Sequence, residues 1–316
     1  MKETIRMKIK YFIGLGVIIL SVVFYMIRSH EEKPKFIDFN QKLSTSEGID
    51  SHRRTLNVAV SAMTSPKHTL IYYQNLVEYL SEKLHLKPHF VQRKTYREIN
   101  ELLARRQLDL AFICSGAYIS AIERGVALRL LAIPVIEDET SYHAVIIVRK
   151  ESPYKTFDDL RGHRFAFTDP LSNTGYRYPL SLLALRNTTP DDFFKSHFFT
   201  YAHDNSIQAV RRGITDGASV DEFIFCYLKR KNPALVQNIR IIRRSNAFGM
   251  PPVVSPAGLH PAMDQKIRQI LFGMNKDPKG RQILEKLGIQ RFTSPDSTSY
   301  ESVKKIYRLT EKLLKP

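Results

Sequence analysis

Between residues 55 and 135 short apolar runs alternate with stretches of helical periodicity, and this alternation narrows what the chain can become more than any other feature. Residues 56–61 read as a strand. Ser65 then stands before Pro66, a helix start: serine suits the cap, and proline loses nothing by lacking an N–H in the first turn. Leu70, Tyr73, Val77, Leu80 and Leu84 give the helix that follows one apolar stripe. That stripe assigns Tyr73 to the core and leaves Tyr72 to face a cleft. A strand at 88–92, a helix at 96–105 and a strand at 108–114 repeat the unit. Residues 128–134 and 144–148 read as further strands. Strands regularly interleaved with helices predict a mostly parallel sheet covered on both faces.

Pro153 and the turn at Phe157-Asp-Asp-Leu160 read as a change of lobe. Beyond it come strands at 164–168, 198–201 and 239–242, and helices at 175–185, 205–213 and 220–229. The chain recrosses near 248–252, and helices at 262–274, 279–287 and 300–314 complete the first lobe. The expected domain therefore spans 55–316. Lobe one holds 55–150 and 250–316, lobe two holds 151–249, and a ligand lies between the strand ends.

The segment Thr168-Asp-Pro-Leu-Ser-Asn-Thr-Gly-Tyr176 is a strand, a polar loop and a helix N-terminus in succession. The first amides of a helix lack internal partners and carry partial positive charge. Ser172, Asn173, Thr174 and the Gly175 amide can therefore hold an anion. The same residues also suit an ordinary N-cap. His203 stands where a strand meets a helix and can donate to the same anion, or simply cap the helix beside Asp204. Asp221 has two readings. In Ser219-Val-Asp-Glu222 it fits a capping box. Beside an anion it repels unless the ligand keeps a proton, so it favours a P–OH group over sulfate.

These segments resemble the phosphate/phosphite/phosphonate-binding periplasmic proteins. Ser65-Pro-Lys-His-Thr-Leu-Ile-Tyr-Tyr73, Gln92-Arg-Lys-Thr-Tyr96, Asp109-Leu-Ala-Phe112 with Ser115-Gly-Ala-Tyr118, His203-Asp-Asn-Ser206, Asp216-Gly-Ala-Ser-Val-Asp221 and Phe248-Gly-Met-Pro-Pro-Val253 follow in the expected order. The resemblance covers most of 55–295. It implies an α/β, two-lobed clamp of the type 2 periplasmic-binding fold and a small anionic solute handed to an ABC transporter permease. It also implies binding residues Thr64, Ser65, Tyr72, Ser115 and Tyr118 in lobe one, with Ser172, Asn173, Thr174, Gly175, His203 and Asp221 in lobe two. Asn173 replaces the usual threonine, which can retune selectivity. Ile113-Cys114 stand where relatives often carry an aromatic residue. No cofactor, metal or catalytic residue is implied.

Charge and flanking sequence bear on the compartment. The chain has 316 residues and a formal charge of +17. Without residues 1–35, 41 Lys/Arg face 28 Asp/Glu, still +13. A basic chain suits nucleic acid, an anionic membrane or an anionic solute, and no nucleic-acid motif accompanies the charge. Residues 11–27 form an uncharged apolar stretch behind Lys2, Arg6, Lys8 and Lys10, with neither a small-residue cleavage site nor a lipid-accepting cysteine after it. The expectation is a cytoplasmic basic N-terminus (1–10), an uncleaved single-pass signal anchor (11–27) and a polar tether (28–54), with the globular part outside the inner membrane. An uncleaved anchor also suits sensing, with a membrane kinase or cyclase as partner. Cys114 and Cys226 fall in different lobes and are expected as separate thiols. Cys114, His203 and Asp204 contain the residue types of a cysteine hydrolase but none of its local sequence, so no enzyme is expected.

Overall fold

The computed structural model describes residues 54–314. Lobe one opens with β1 (Thr55–Val60), α1 (Pro66–Leu84), β2 (Lys87–Val91), α2 (Tyr96–Ala104), β3 (Leu110–Phe112), α3 (Ser115–Glu123) and β4 (Leu128–Val135). The chain crosses through β5 (Ser141–Tyr142) into lobe two. That lobe contains β6 (Ala144–Arg149), β7 (Arg164–Phe167), α4 (Tyr178–Ala184), α5 (Pro190–Phe193), β8 (Ser196–Phe199), α6 (His203–Arg211), β9 (Gly217–Asp221), α7 (Glu222–Lys231) and β10 (Ile239–Arg244). It returns by β11 (Phe248–Gly249) to β12 (Val253–Pro256), α8 (Pro261–Gly273), α9 (Pro278–Leu287), β13 (Arg291–Thr293) and α10 (Glu301–Leu314).

Each lobe is built on one sheet. The first has the order β13-β4-β12-β3-β1-β2, with β1 parallel to β2 and β3. The second has the order β10-β6-β9-β7-β8, with β7 parallel to β8 and β9. Continuous apolar strands such as Leu-Ala-Phe112 follow from burial on both faces. In lobe two the packing is aromatic. Phe157 stacks on Phe193 at 5.2 Å and Phe165 on Phe194 at 4.5 Å, all four buried.

The lobe boundary differs from the sequence reading. Residues 144–149 form a strand of lobe two, between β10 and β9, and not the end of lobe one. The first crossing thus lies at 136–143, and the turn after Pro153 is internal to lobe two. A strand apolar from Ala144 to Val148 carries no mark of which sheet will take it, because pairing with β9 and β10 is non-local. The two crossings meet in a ribbon, where Tyr142 pairs with Phe248 and Ser141 with Gly249. Val220 also moves, from the start of a helix to the end of β9.

The last helix ties the halves together. α10 packs on α3 and on α4. Its Thr310 accepts from Arg177 Nη1 at 3.0 Å, and Glu311 pairs with Arg177 at 2.8 Å. The guanidinium lies over the Tyr307 ring, 4.6 Å from its centroid. The expected membrane span at 11–27 and its tether lie outside the described residues. Among the described residues no helix is long and apolar enough to cross a membrane.

Candidate ligand-binding site

The helices α1, α2, α3, α6 and α7 all begin on the face where the lobes meet, each just after a strand ends. The helix dipoles give that face partial positive charge without a basic side chain, though several of the first amides, such as those of Tyr96, His203, Phe223 and Ile224, already have partners outside their helix hydrogen bonding. Arg177 is buried there, but Glu311 and Thr310 engage it.

The loop after β7 is where sequence and structure agree most closely. Ser172 Oγ accepts the Gly175 amide at 2.9 Å. The turn at Asn173–Arg177 is wide: the Arg177 amide reaches back five residues to Ser172 O at 3.0 Å. Such π-type turns occur as single turns, often at functional sites. Asn173 Nδ2 donates to Tyr142 Oη at 3.3 Å, while Asn173 Oδ1 and Thr174 Oγ1 are buried without a hydrogen-bond partner. A tyrosine hydroxyl accepts or donates, so the Asn173 amide can turn over and present Nδ2 instead. Gly175 is required by space. A Cβ there would lie 2.3 Å from Thr168 Oγ1.

His203 opens α6 with its ring buried. Its Nδ1 accepts the Asp221 amide at 3.2 Å and lies 3.1 Å from Thr168 Oγ1. This fixes the tautomer, leaving Nε2–H as a donor. Burial pushes the imidazole down to about 3, so the ring is neutral near neutrality. Asp221 caps α7 through Oδ1, which accepts from the Phe223 and Ile224 amides at 2.8 and 3.3 Å. Burial lifts its carboxyl to about 7, against the pull of those two amides. Asp221 is itself the cap of α7, in place of a capping box begun by Ser219, whose hydroxyl instead bonds to Thr174 O; the Asp221 side chain also lines the cleft.

From lobe one, Ser115 Oγ lies 2.6 Å from Tyr142 Oη. Thr64 Oγ1 is engaged with Thr69 Oγ1 at 3.0 Å. The Ser65 amide donates to Asp204 Oδ1 at 2.9 Å, across the lobe boundary. The His203 amide bonds to Met63 O at 3.0 Å, and the Tyr96 amide to Asp169 Oδ2 at 3.1 Å. Gly116 sits at the tightest crossing. A Cβ there would lie 2.4 Å from Leu171 O and 2.6 Å from Asn173 N. The lobes are thus shut on each other.

Other expectations change. Tyr73, assigned to the core, packs against it and also lines the cleft cavity with Asp221, and burial followed by that carboxylate raises its hydroxyl to about 12. The Tyr72 side chain lies outside the described residues. Tyr118 packs on Tyr300 at 5.0 Å, away from the cavity lining. Sequence reasoning passed over Tyr96 and Tyr142. Tyr96 is fully buried with Oη unpartnered, and burial, then Cys114, Asp169, Asp221 and Tyr142, raise its hydroxyl. Its signal was local: Thr95 and Glu98 form a capping box that starts α2 at Tyr96. Tyr142 lies in the hinge ribbon and carried no signal. Cys114 and Cys226 are free thiols, the first buried and the second half-buried.

Comparison with known proteins follows the geometry. A family model described as the periplasmic substrate-binding protein of a phosphonate ABC transporter matches residues 58–300. The phosphonates-binding periplasmic protein of Escherichia coli K12 is 22% identical over 244 residues, covering 76% of this chain and 72% of that one. The crystal structure of a binding protein component of an ABC phosphonate transporter from Pseudomonas aeruginosa superposes with a TM-score of 0.77 at 18% identity, covering 82% of this chain and 87% of that one. PhnD1 from Prochlorococcus marinus, solved with methylphosphonate, gives 0.72 at 17% identity, covering 82% and 99%. With most of its length matched by that family model, the chain belongs to the periplasmic substrate-binding proteins of phosphonate ABC transporters.

Proposed function

We propose that this protein closes its lobes over a small tetrahedral oxyanion bearing a P–OH, in the phosphate/phosphite/phosphonate class, and delivers it to an ABC permease. The observation that carries this reading is that three of the eight buried polar side-chain atoms without partners among the described residues, Tyr96 Oη, Asn173 Oδ1 and Thr174 Oγ1, belong to this loop and the helix start bonded to it through Asp169. Leaving a buried polar group unpaired costs about 1–3 kcal/mol each, so such a cluster favours a polar ligand. Neutral His203, helix N-termini and hydroxyls supply donors, and Asp221 supplies an acceptor for the ligand's proton. Chemistry at Cys114 has little support. Burial pushes its thiol up, away from the reactive thiolate.

The test separates binding from folding. Ser172 caps the turn, whereas Thr174 Oγ1 has no internal bond to lose. Thr174→Val keeps the shape and removes the hydroxyl. Affinity for inorganic phosphate or methylphosphonate, by calorimetry, is expected to fall roughly tenfold to a hundredfold, the worth of one bond to a charged group, with Tm unchanged. Unchanged affinity for whichever anion binds the parent would remove Thr174 from the site.

The uncharged stretch 11–27 supports an inner-membrane anchor with residues 55–316 outside the cytoplasm. Membrane fractionation with N-terminal sequencing is expected to find Met1 on membrane-bound protein. A mature N-terminus beyond residue 27 would replace the anchor with a cleaved signal. A permeability assay for the anion in cells lacking this chain separates uptake from a kinase-coupled sensing role.

A further inference from the structure

Beside the polar cradle the cleft continues into a cavity of about 50 Å³. One water needs roughly 10–15 Å³ on this measure, so the cavity holds a group of about three or four such volumes. Asp221, Tyr73 and Tyr142 are its polar lining residues. Tyr142 also bonds to Asn173 and approaches Ser115, and the Asp221 amide bonds to His203, so these two residues connect the cavity to the cradle. The rest of the wall is apolar and comes from both lobes, with Phe112, Pro134, Ile289 and Phe292 from lobe one and Phe223 and Ile224 from lobe two. No lysine, arginine or second carboxylate lines it.

We infer that the solute is a phosphonate with a short, uncharged alkyl substituent, which occupies this cavity while its PO₃ group sits in the cradle. This rests on the oxyanion reading above and adds the chemistry of the substituent. An alkyl chain gains from leaving water. An ammonium at the same position would lose its hydration among Ile, Phe and Pro side chains. Asp221 cannot serve as its partner at no cost, because Oδ1 is held by the Phe223 and Ile224 amides and, on the oxyanion reading, Oδ2 is taken by the ligand's P–OH.

Propylphosphonate and 2-aminoethylphosphonate differ by CH₃ against NH₃⁺ at equal length, so they isolate the question. In calorimetry on the full chain in detergent near neutral pH, affinity is expected to rise about fourfold per carbon from methyl to propyl. 2-Aminoethylphosphonate is expected at least a hundredfold weaker than propylphosphonate. Ile289→Trp, which fills the cavity, is expected to erase the gain from methyl to propyl. Aminoethyl binding equal to or tighter than propyl overturns the inference, as does an Ile289→Trp variant that keeps the propyl preference. Failure of phosphate and every phosphonate to bind the parent would instead strike the oxyanion reading itself.

Discussion

Replacing Gly116 with alanine lowers affinity for the oxyanion by roughly tenfold to a hundredfold while leaving thermal stability unchanged or raised. Replacement with valine abolishes measurable binding. Gly116 lies in the first turn of α3, in lobe one, and its backbone is helical. Alanine is therefore welcome to the local structure, by up to about 1 kcal/mol relative to glycine. The obstacle stands in the other lobe. A Cβ would lie 2.4 Å from Leu171 O and 2.6 Å from Asn173 N. Both are backbone atoms of the loop that leads into the Asn173–Arg177 turn, so neither can swing aside as a side-chain tip would. Forcing one methyl into such a contact costs about 1–3 kcal/mol, which gives the stated range, and a branched side chain costs more.

The cost falls only on the shut form, so the variant is expected to rest open. Small-angle scattering is expected to show a larger radius for Gly116→Ala with ligand than for the parent with ligand. Opposite signs for affinity and melting temperature are the mark of a closure defect. A parallel fall in both would mean that Gly116 supports the fold of lobe one, and the cleft would lose its tightest crossing as a determinant of binding.

What sequence alone can disclose here follows from the range of the interactions involved. The loop at Ser172–Gly175 was legible because its signals are local: a strand, a cap serine and a glycine forced by the neighbouring Thr168. Asp221 was legible as a residue of the helix start, and the structure makes it the cap of α7 at the edge of the cleft cavity. Lobe membership of β6 was not legible, since it is apolar from Ala144 to Val148 and its neighbours lie far away in sequence. Tyr73 packs against the core as its stripe implies and also lines the cleft cavity. A stripe of helical period marks a buried face, and the wall of a closed cleft is as buried as a core. Tyr142 contributes through its hydroxyl from a two-residue hinge strand, too short to carry any pattern. Tyr118 shows the converse: a residue in a recognisable motif whose ring belongs to the packing against Tyr300.

Asp221→Asn is expected to uncouple anion binding from pH and to admit sulfate in alkaline solution. In the ligand-free protein burial lifts the Asp221 carboxyl from its ordinary 3.8 to about 7. The sign follows from linkage. Between about pH 4 and pH 7 the folded protein holds a proton that the unfolded chain has released, so this group's contribution to stability is full below that window and is lost as pH rises through it. For binding, a phosphonate and Asp221 share one proton in the complex. Below about pH 7 the separated partners hold two and one must leave; well above it they hold none and one must be taken up. Parent affinity for methylphosphonate is therefore expected to peak near neutrality and fall on both sides. Sulfate brings no proton, so Asp221 must supply it. Parent affinity for sulfate falls about tenfold for each pH unit above 7, and the carboxylate rejects sulfate only where it is ionised. Asparagine keeps the oxygen that accepts from Phe223 and Ile224, so α7 stays capped, and its NH₂ donates at every pH. Sulfate binding to Asp221→Asn is then flat with pH, and at pH 9 it exceeds that of the parent by about a hundredfold, two units of linkage. Calorimetry with sulfate at pH 6 and pH 9 reads both slopes. Parallel profiles for parent and variant would place Asp221 outside the reach of the anion and leave it the cap of α7 alone.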